Sequence, residues 1–339
     1  MKSLLNVLIL AAAFTSQARA EALPSKAPVP ADNPMTSAKI ELGKQLYFDT
    51  RLSKTGTVSC NSCHDVTAGG VDGTRVSTGI EGKQGGRNSP TVWNAAFLSV
   101  QFWDGRAPSL EEQAKGPLVN PVEMAMENHD FVVSVRVRKI PGYVKQFKAV
   151  FGGEQPVTID NLAKAIAAYE RTLITPNSPY DRFVKGNKKA LSPSATRGME
   201  LVKTVGCQTC HSGPMFAGPP LPMGSGFYQK FPTFEDSDYV GQYDLKGDTG
   251  RHDATKNDAD RHMWRVATWR NVAVTAPYFH NGRVATLDEA VRVMAKTQLN
   301  KDLKSDEVTD IVAFLESLTG EFPKQTMPRL PATPGKTVL

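Results

Sequence analysis

The stretch V58-S-C-N-S-C-H-D65 sets Cys60, Cys63 and His64 in the spacing Cys-x-x-Cys-His. Two thiols that can bond a porphyrin's vinyl carbons, followed at once by an imidazole for its iron, suit covalent attachment of a c-type haem. A second copy, Cys207-Gln-Thr-Cys210-His211, uses the remaining cysteines. The same residue types could hold zinc or form a redox dithiol. Zinc at either motif would need further ligands, and the other histidines, His129, His252, His262 and His280, are widely spread. Two c-type haems are therefore expected, with His64 and His211 as proximal ligands. What faces each iron on its other side decides whether the chain only carries electrons or also does chemistry.

The leading residues M1-K-S-L-L-N-V-L-I-L-A-A-A-F-T-S-Q-A-R-A20 combine one early base, an apolar run and small residues around Ala18-Arg19-Ala20. This pattern predicts a secretory signal peptide over residues 1–20. No later run approaches the ~20 apolar residues of a spanning helix, so an exported protein without a membrane anchor is expected. Lys and Arg number 40 against 34 Asp and Glu, and two of those bases, Lys2 and Arg19, fall in the leader. The remaining bases are scattered rather than clustered with aromatics, which argues against nucleic-acid binding. Export normally invites disulfides; here all four cysteines are accounted for by the two haem motifs.

The elements that must position these groups come in two copies. Residues Q101-F-W-D-G-R-A-P-S-L-E-E112 align with Y278-F-H-N-G-R-V-A-T-L-D-E289, 177 residues on, without a gap back through Thr91/Thr268 and Asn94/Asn271. Such self-similarity reads as a duplicated domain. Ahead of the first motif, Ile40, Leu42, Gly43, Leu46 and Tyr47 follow helical spacing after a Thr36-Ser37 cap signal; ahead of the second, Ser192-Pro193 opens a helix with Gly198, Met199, Leu201 and Val202. Gly43 and Gly198 would let a partner helix approach closely. The partners are residues 161–173 and 306–318, in which Ile166, Tyr169 and Leu173 correspond to Ile311, Phe314 and Leu318. The predicted class is mainly α, with two cytochrome c-like haem domains at residues 21–176 and 177–325. Long Gly- and Pro-rich loops (residues 68–86 and 213–250) wrap the cofactors, the link falls near residues 176–187, and residues 326–339 form an extended tail.

Carried five residues beyond Glu112 and Glu289, the alignment sets Pro117 opposite Met294. Methionine is a common axial partner to histidine in c-type cytochromes and raises the potential; proline has no side chain that binds iron. A methionine on an apolar helix face is more often core filling. This one, however, follows the repeated F-x-[DN]-G-R element in a domain that already holds haem. The His211 haem is thus expected to be His/Met-ligated and closed, and the His64 haem open. The same alignment sets Trp103 opposite His280, either as packing or on the route between haems.

Beside the open site runs E111-E-Q-A-K-G-P-L-V-N-P-V-E-M-A125. Heterolysis of a peroxide O–O bond needs a proton taken from the inner oxygen and delivered to the outer one. One carboxylate can do both, as base and then acid, while a neutral amide holds the oxygens by hydrogen bonds. Glu123 and Gln113 have suitable chemistry, but Glu111, Glu112 and Glu127 rival Glu123, and each carboxylate is by default a solvated surface group. His252 and His262, in the polar stretch G250-R-H-D-A-T-K-N-D-A-D-R-H-M263, read as solvated.

At N88-S-P-T-V, F102-W-D-G-R-A, Q113-A-K-G-P, N120-P-V-E-M-A and A276-P-Y-F-H-N-G-R-V-A-T-L-D-E-A-V-R-V-M294, the chain resembles the bacterial di-haem cytochrome c peroxidases, over about residues 34–323. The resemblance implies a periplasmic enzyme that reduces hydrogen peroxide with electrons from a small cytochrome c or cupredoxin. His64, with Cys60 and Cys63, would hold the peroxidatic haem; His211 and Met294, with Cys207 and Cys210, would hold the electron-transferring one. Glu123 matches the family's acid/base and Gln113 its distal amide, with Trp103 between the haems. Asn88 and the carbonyls of Thr275 and Pro277 match a calcium site, and oxygen ligands suit that ion. Members often dimerise, and no strip of this sequence shows an interface by itself.

One departure stands out. Many members cap the oxidised peroxidatic haem with a histidine on the loop before N-S-P, and that position here is Ile80. No histidine occurs between His64 and His129, so the first haem is expected to be open when fully oxidised. Another residue of the loop at 78–86, or His129, remains the alternative cap. Related di-haem oxidases of protein substrates, which mature tryptophan-derived quinones, also lack that histidine but carry tyrosine where this chain has Met294. Such an oxidase, and a non-catalytic di-haem carrier, are the two rival readings.

Overall fold

A computed structural model describes residues 21–335, 337 and 339; the signal-peptide expectation lies outside the described residues. The main helices are α1 (Ser37–Phe48), α2 (Leu110–Val119), α3 (Pro141–Phe151), α4 (Ile159–Glu170), α5 (Pro179–Val184), α6 (Pro193–Thr204), α7 (Leu287–Leu299) and α8 (Ser305–Glu316). Among the described residues, strand is confined to a short antiparallel pair, β1 (Tyr228–Lys230) and β2 (Met263–Arg265), with Tyr228 opposite Arg265. The fold is mainly α. Both cap signals act as read: Thr36 Oγ1 accepts from Lys39 N (3.2 Å) at α1 and Ser192 Oγ from Ala195 N (3.0 Å) at α6, satisfying amides that have no partner inside the helix.

Two helix pairs build two cores. Leu42, Leu46 and Tyr47 of α1 pack with Ile166 and Tyr169 of α4, and Val202 of α6 packs with Ile311 and Phe314 of α8. Each crossing turns on one glycine. A Cβ on Gly43 would lie 1.8 Å from the Ala165 carbonyl oxygen, and one on Gly198 would lie 1.8 Å from that of Asp310. No side chain fits either place.

The 177-residue offset is preserved in the backbone. Isolated bridges join Gln101 to Ala107 and Tyr278 to Val284, Phe102 and Phe279 both turn left-handed (φ 68° and 67°), and so do Asn94 and Asn271. The two asparagines meet at the junction of the halves, where each donates its amide to Thr175 Oγ1 (2.8 and 2.9 Å).

The segment between the cores is ordered rather than a loose linker. Pro179 opens α5, Ser178 and Asp181 cap each other, and Asp181 pairs with the buried Arg270 at 2.8 Å. Tyr180 thereby joins the second core while Leu173 stays in the first. The tail crosses back over the first half: Arg51 Nη1 donates to Pro331 O (2.9 Å) and Thr333 Oγ1 (2.7 Å).

Candidate active site

The first Cys-x-x-Cys-His motif opens on a cavity of about 530 Å3 lined by Tyr47, Cys60, Cys63, His64, Trp103, Gln113, Pro117, Glu123 and Glu170, among others. His64 lies at the end of the single turn Cys60–Cys63, and its Nδ1 meets Pro90 O at 2.9 Å. That contact orients the ring and leaves Nε2 for a metal. Burial lowers the His64 pKa, favouring the neutral ligand form. Among the described residues it is the only histidine lining the cavity. His129, an alternative cap in the sequence reading, instead turns its Nε2 to Lys115 O (3.0 Å).

Of the four carboxylates that compete in the sequence, the structure brings only Glu123 to this cavity. Glu111 is tied to Arg171 (2.7 Å) and Asn33 (2.7 Å), Glu112 pairs with Lys115 (2.7 Å), and Glu127 is exposed. Glu123 accepts from Asn120 Nδ2 at 2.8 Å. Burial raises its pKa, opposed by the Arg106 charge and the Asn120 bond. Glu123, Arg106, Phe102 and Asn120 also line an adjoining recess of about 370 Å3, so the carboxyl borders both spaces. Gln113, one turn along α2 from Pro117, lines the inner cavity.

The second motif opens on a separate cavity of about 240 Å3 lined by Cys207, Cys210, His211, Trp269 and Met294. His211 Nδ1 meets Phe216 O at 3.0 Å, Trp269 stacks on its ring at 4.4 Å, and burial pulls its pKa down to about 4. Met294 and Pro117 occupy matched places on α7 and α2, one in each cavity.

Trp103 and Asn88 line both cavities, and Trp103 Nε1 donates to Asn88 O at 2.8 Å. Asn88 spends its amide nitrogen on Thr74 O (2.9 Å) and Arg75 O (3.3 Å), which leaves its side-chain oxygen for another partner. Thr275 and Pro277 line the second cavity with it.

Comparison with known proteins shows the family. The cytochrome c551 peroxidase of Nitrosomonas europaea is 44% identical over 331 residues, covering 97% of this chain and 94% of that protein. That of Pseudomonas aeruginosa is 44% identical over 301 residues, covering 88% and 84%. Residues 37–189 match the family described as di-haem cytochrome c peroxidase. The chain belongs to that family. Among solved structures, a MauG-like protein associated with microbial copper homeostasis superimposes with a TM-score of 0.75 at 29% identity, over 88% of this chain and 95% of that one.

A di-haem peroxidase must house two porphyrins, and the side chains fit them. The second cavity contains buried ring nitrogens without protein partners: Trp264 Nε1, a donor, and His280 Nε2 make no hydrogen bond among the described residues. Among the described residues, the Arg265 side chain beside them bonds only the carbonyls of Phe102 and Val266 (both 3.1 Å). Burial lowers the Arg265 pKa to about 10, so it stays charged at neutral pH. Unpaired buried cations and donors are costly, and a haem's propionates are the acceptors that would satisfy them.

Other residues of this di-haem peroxidase were not legible in the sequence. Arg87 ties the halves together, bonding Asp104 (2.6 Å) on one side and Asp248 (2.6 and 2.8 Å) on the other; its place beside the N-S-P element was the only signal. His262 is buried, contrary to the solvated reading, because its Nδ1 meets Asp248 O (3.0 Å) in that same junction. Glu170, on the face of α4 that lines the first cavity, is 6% exposed, and its Oε2 has no partner among the described residues.

Burial raises the Glu170 pKa to about 8 from the usual 4.5, so between those values the folded chain holds a proton that the unfolded chain has lost. Stability therefore falls as pH rises through this window. Chemical denaturation of the holoprotein should show Glu170→Gln gaining on the parent from pH 5 to 8, by on the order of a few kcal/mol. An unchanged pH dependence would mean that Glu170 is ionised in the folded protein.

Proposed function

We propose that this enzyme reduces hydrogen peroxide to water in the periplasm, taking two electrons one at a time from a small cytochrome c or cupredoxin. The observation that carries this reading is one cavity lined by both Glu123 and His64, in which Pro117 stands in the place of Met294. Four thioethers, from Cys60, Cys63, Cys207 and Cys210, would hold the two haems. When bound, the haems supply the iron that takes up peroxide and the redox equivalents that cleave it.

The protein's own part is proton movement and orientation. A Glu123 Oε takes the proton of the inner peroxide oxygen and returns it to the outer one, and the upward shift of its pKa suits a group that must do both near neutral pH. The Gln113 amide orients the substrate oxygens. Trp103, common to both cavities, lies on the electron route from the haem held by His211 and Met294. Asn88, Thr275 and Pro277 offer oxygen ligands to calcium at the junction, a chemistry calcium prefers. Export through the leader and homodimer formation complete the proposal.

An electron paramagnetic resonance spectrum of the fully oxidised holoprotein tests the open site. One high-spin ferric signal that disappears on adding peroxide is expected, together with one low-spin signal. Two low-spin signals, with no reaction before partial reduction, would mean that another residue caps the first iron. The lack of a histidine at position 80 and the likeness to a MauG-like structure favour one second reading, an oxidase of a protein substrate. Steady turnover with reduced cytochrome or copper protein separates the two, because an oxidase of that kind would be a poor catalyst of it.

A further inference from the structure

The loop that carries the capping histidine in many relatives is folded here as a tight hairpin. Thr78 and Gln84 form an antiparallel bridge, Gly79 N donates to Lys83 O (2.8 Å), and Gly85 N donates to Ser77 O (3.0 Å). Its tip at Glu81 and Gly82 is exposed, and the segment leading into it, at Gly79 and Ile80, is docked on the turn that presents Glu123. Ile80 N donates to Glu123 O at 2.9 Å, and the Ile80 side chain, 1% exposed, is packed in the first core with Met124. Beside it, a Cβ on Gly79 would lie 2.0 Å from Val122 O, 2.7 Å from Glu123 O and 2.8 Å from Glu123 Cα. Those are backbone atoms, so any side chain at residue 79 must push the Glu123 turn away.

From the opposite side, α2 holds the same turn. Met124 N donates to Pro117 O (3.2 Å) and Glu123 N to Asn120 O (3.1 Å), while the Asn120 side chain holds the Glu123 carboxyl (2.8 Å). The Glu123 backbone is thus held both by the end of α2 and by the hairpin, and its carboxylate by Asn120. We propose that the hairpin is a permanent brace for Glu123 and that Gly79 is the positioning residue that makes this docking possible. The loop thereby aims the acid/base, an inference that rests on the proposed role of Glu123.

The brace has a cost in tolerance and a consequence for rate. Displacing a catalytic group by about 1 Å lowers turnover on the order of 10²-fold. Gly241, exposed and lining neither cavity, also has open space where its Cβ would go, so Gly241→Ala is the matched control. The experiment uses the holoenzyme and follows the first haem's optical reaction with peroxide in Gly79→Ala, Gly241→Ala, Glu123→Gln and the Gly79→Ala/Glu123→Gln pair.

Gly79→Ala is expected to lose roughly 10–10²-fold in rate with an unchanged spectrum at the second haem, and Gly241→Ala to match the parent. In the Glu123→Gln background, Gly79→Ala is expected to add almost nothing, since residues acting through one group are non-additive. A parent-like Gly79→Ala rate, or an equal loss in both backgrounds, would overturn the brace while leaving the peroxidase reading intact. A parent protein inert to peroxide would overturn both. If Gly79→Ala does not fold, hydrogen exchange in the unaltered oxidised holoprotein decides: a slowly exchanging Ile80 amide supports docking, and fast exchange across residues 77–85 rules it out.

Discussion

Replacing Glu123 with glutamine is expected to lower peroxide turnover by about 10²–10⁴-fold, the usual contribution of a placed acid/base. Glutamine keeps the size of the side chain and its contact with Asn120, so both haems should stay bound and both spectra should stay put. What it removes is the proton shuttle proposed for Glu123. Glu111, Glu112 and Glu127 are engaged elsewhere or exposed and offer no replacement at the cavity.

The pH profile should carry the same signature. Burial raises the Glu123 pKa above its usual 4.5, and the ionised form must be present to accept the first proton. In the parent, kcat/KM should therefore rise with pH through a limb lying above 4.5, and that limb should vanish in Glu123→Gln. A variant with parent-like turnover would mean that another group moves the proton. A variant that lost haem would return the residue to a structural role.

Replacing Met294 with histidine should leave the first haem's reaction with peroxide unchanged but cripple donor-driven turnover. Axial ligands set haem potentials over a span of ~0.8 V, and thioether ligation sits toward the high end. Exchange for imidazole is expected to lower the second haem's potential by on the order of 0.1–0.3 V. Each ~59 mV lost weakens electron transfer from a given donor about tenfold at equilibrium. Spectroelectrochemistry of the variant gives the potential, and stopped-flow mixing with a reduced donor gives the rate. An unchanged potential would exclude Met294 as the ligand, and slowed peroxide uptake at the first haem would show that the two sites are not separable in this way.

Much of this protein is legible in one dimension. The doubled Cys-x-x-Cys-His spacing, the gapless 177-residue repeat and the contrast between Pro117 and Met294 follow from local order, because residues that act on one cofactor through a single turn or helix must keep fixed separations. The same holds for Gly43 and Gly198, whose places in two apolar helices already implied the close crossings found at Ala165 and Asp310.

The tertiary structure alone separated Glu123 from its three neighbouring rivals, since which carboxylate is buried depends on Arg171, Asn33 and Lys115 claiming the others. Nor could spacing reveal that Ile80 docks on the Glu123 turn, that Arg87 joins Asp104 to Asp248 across the two halves, or that His262 is buried beside them. Those outcomes are set by groups far apart in the chain competing for the same partners and the same dry space. Spacing along the chain determined what chemistry these residues could perform; long-range packing decided which of them are in position to perform it.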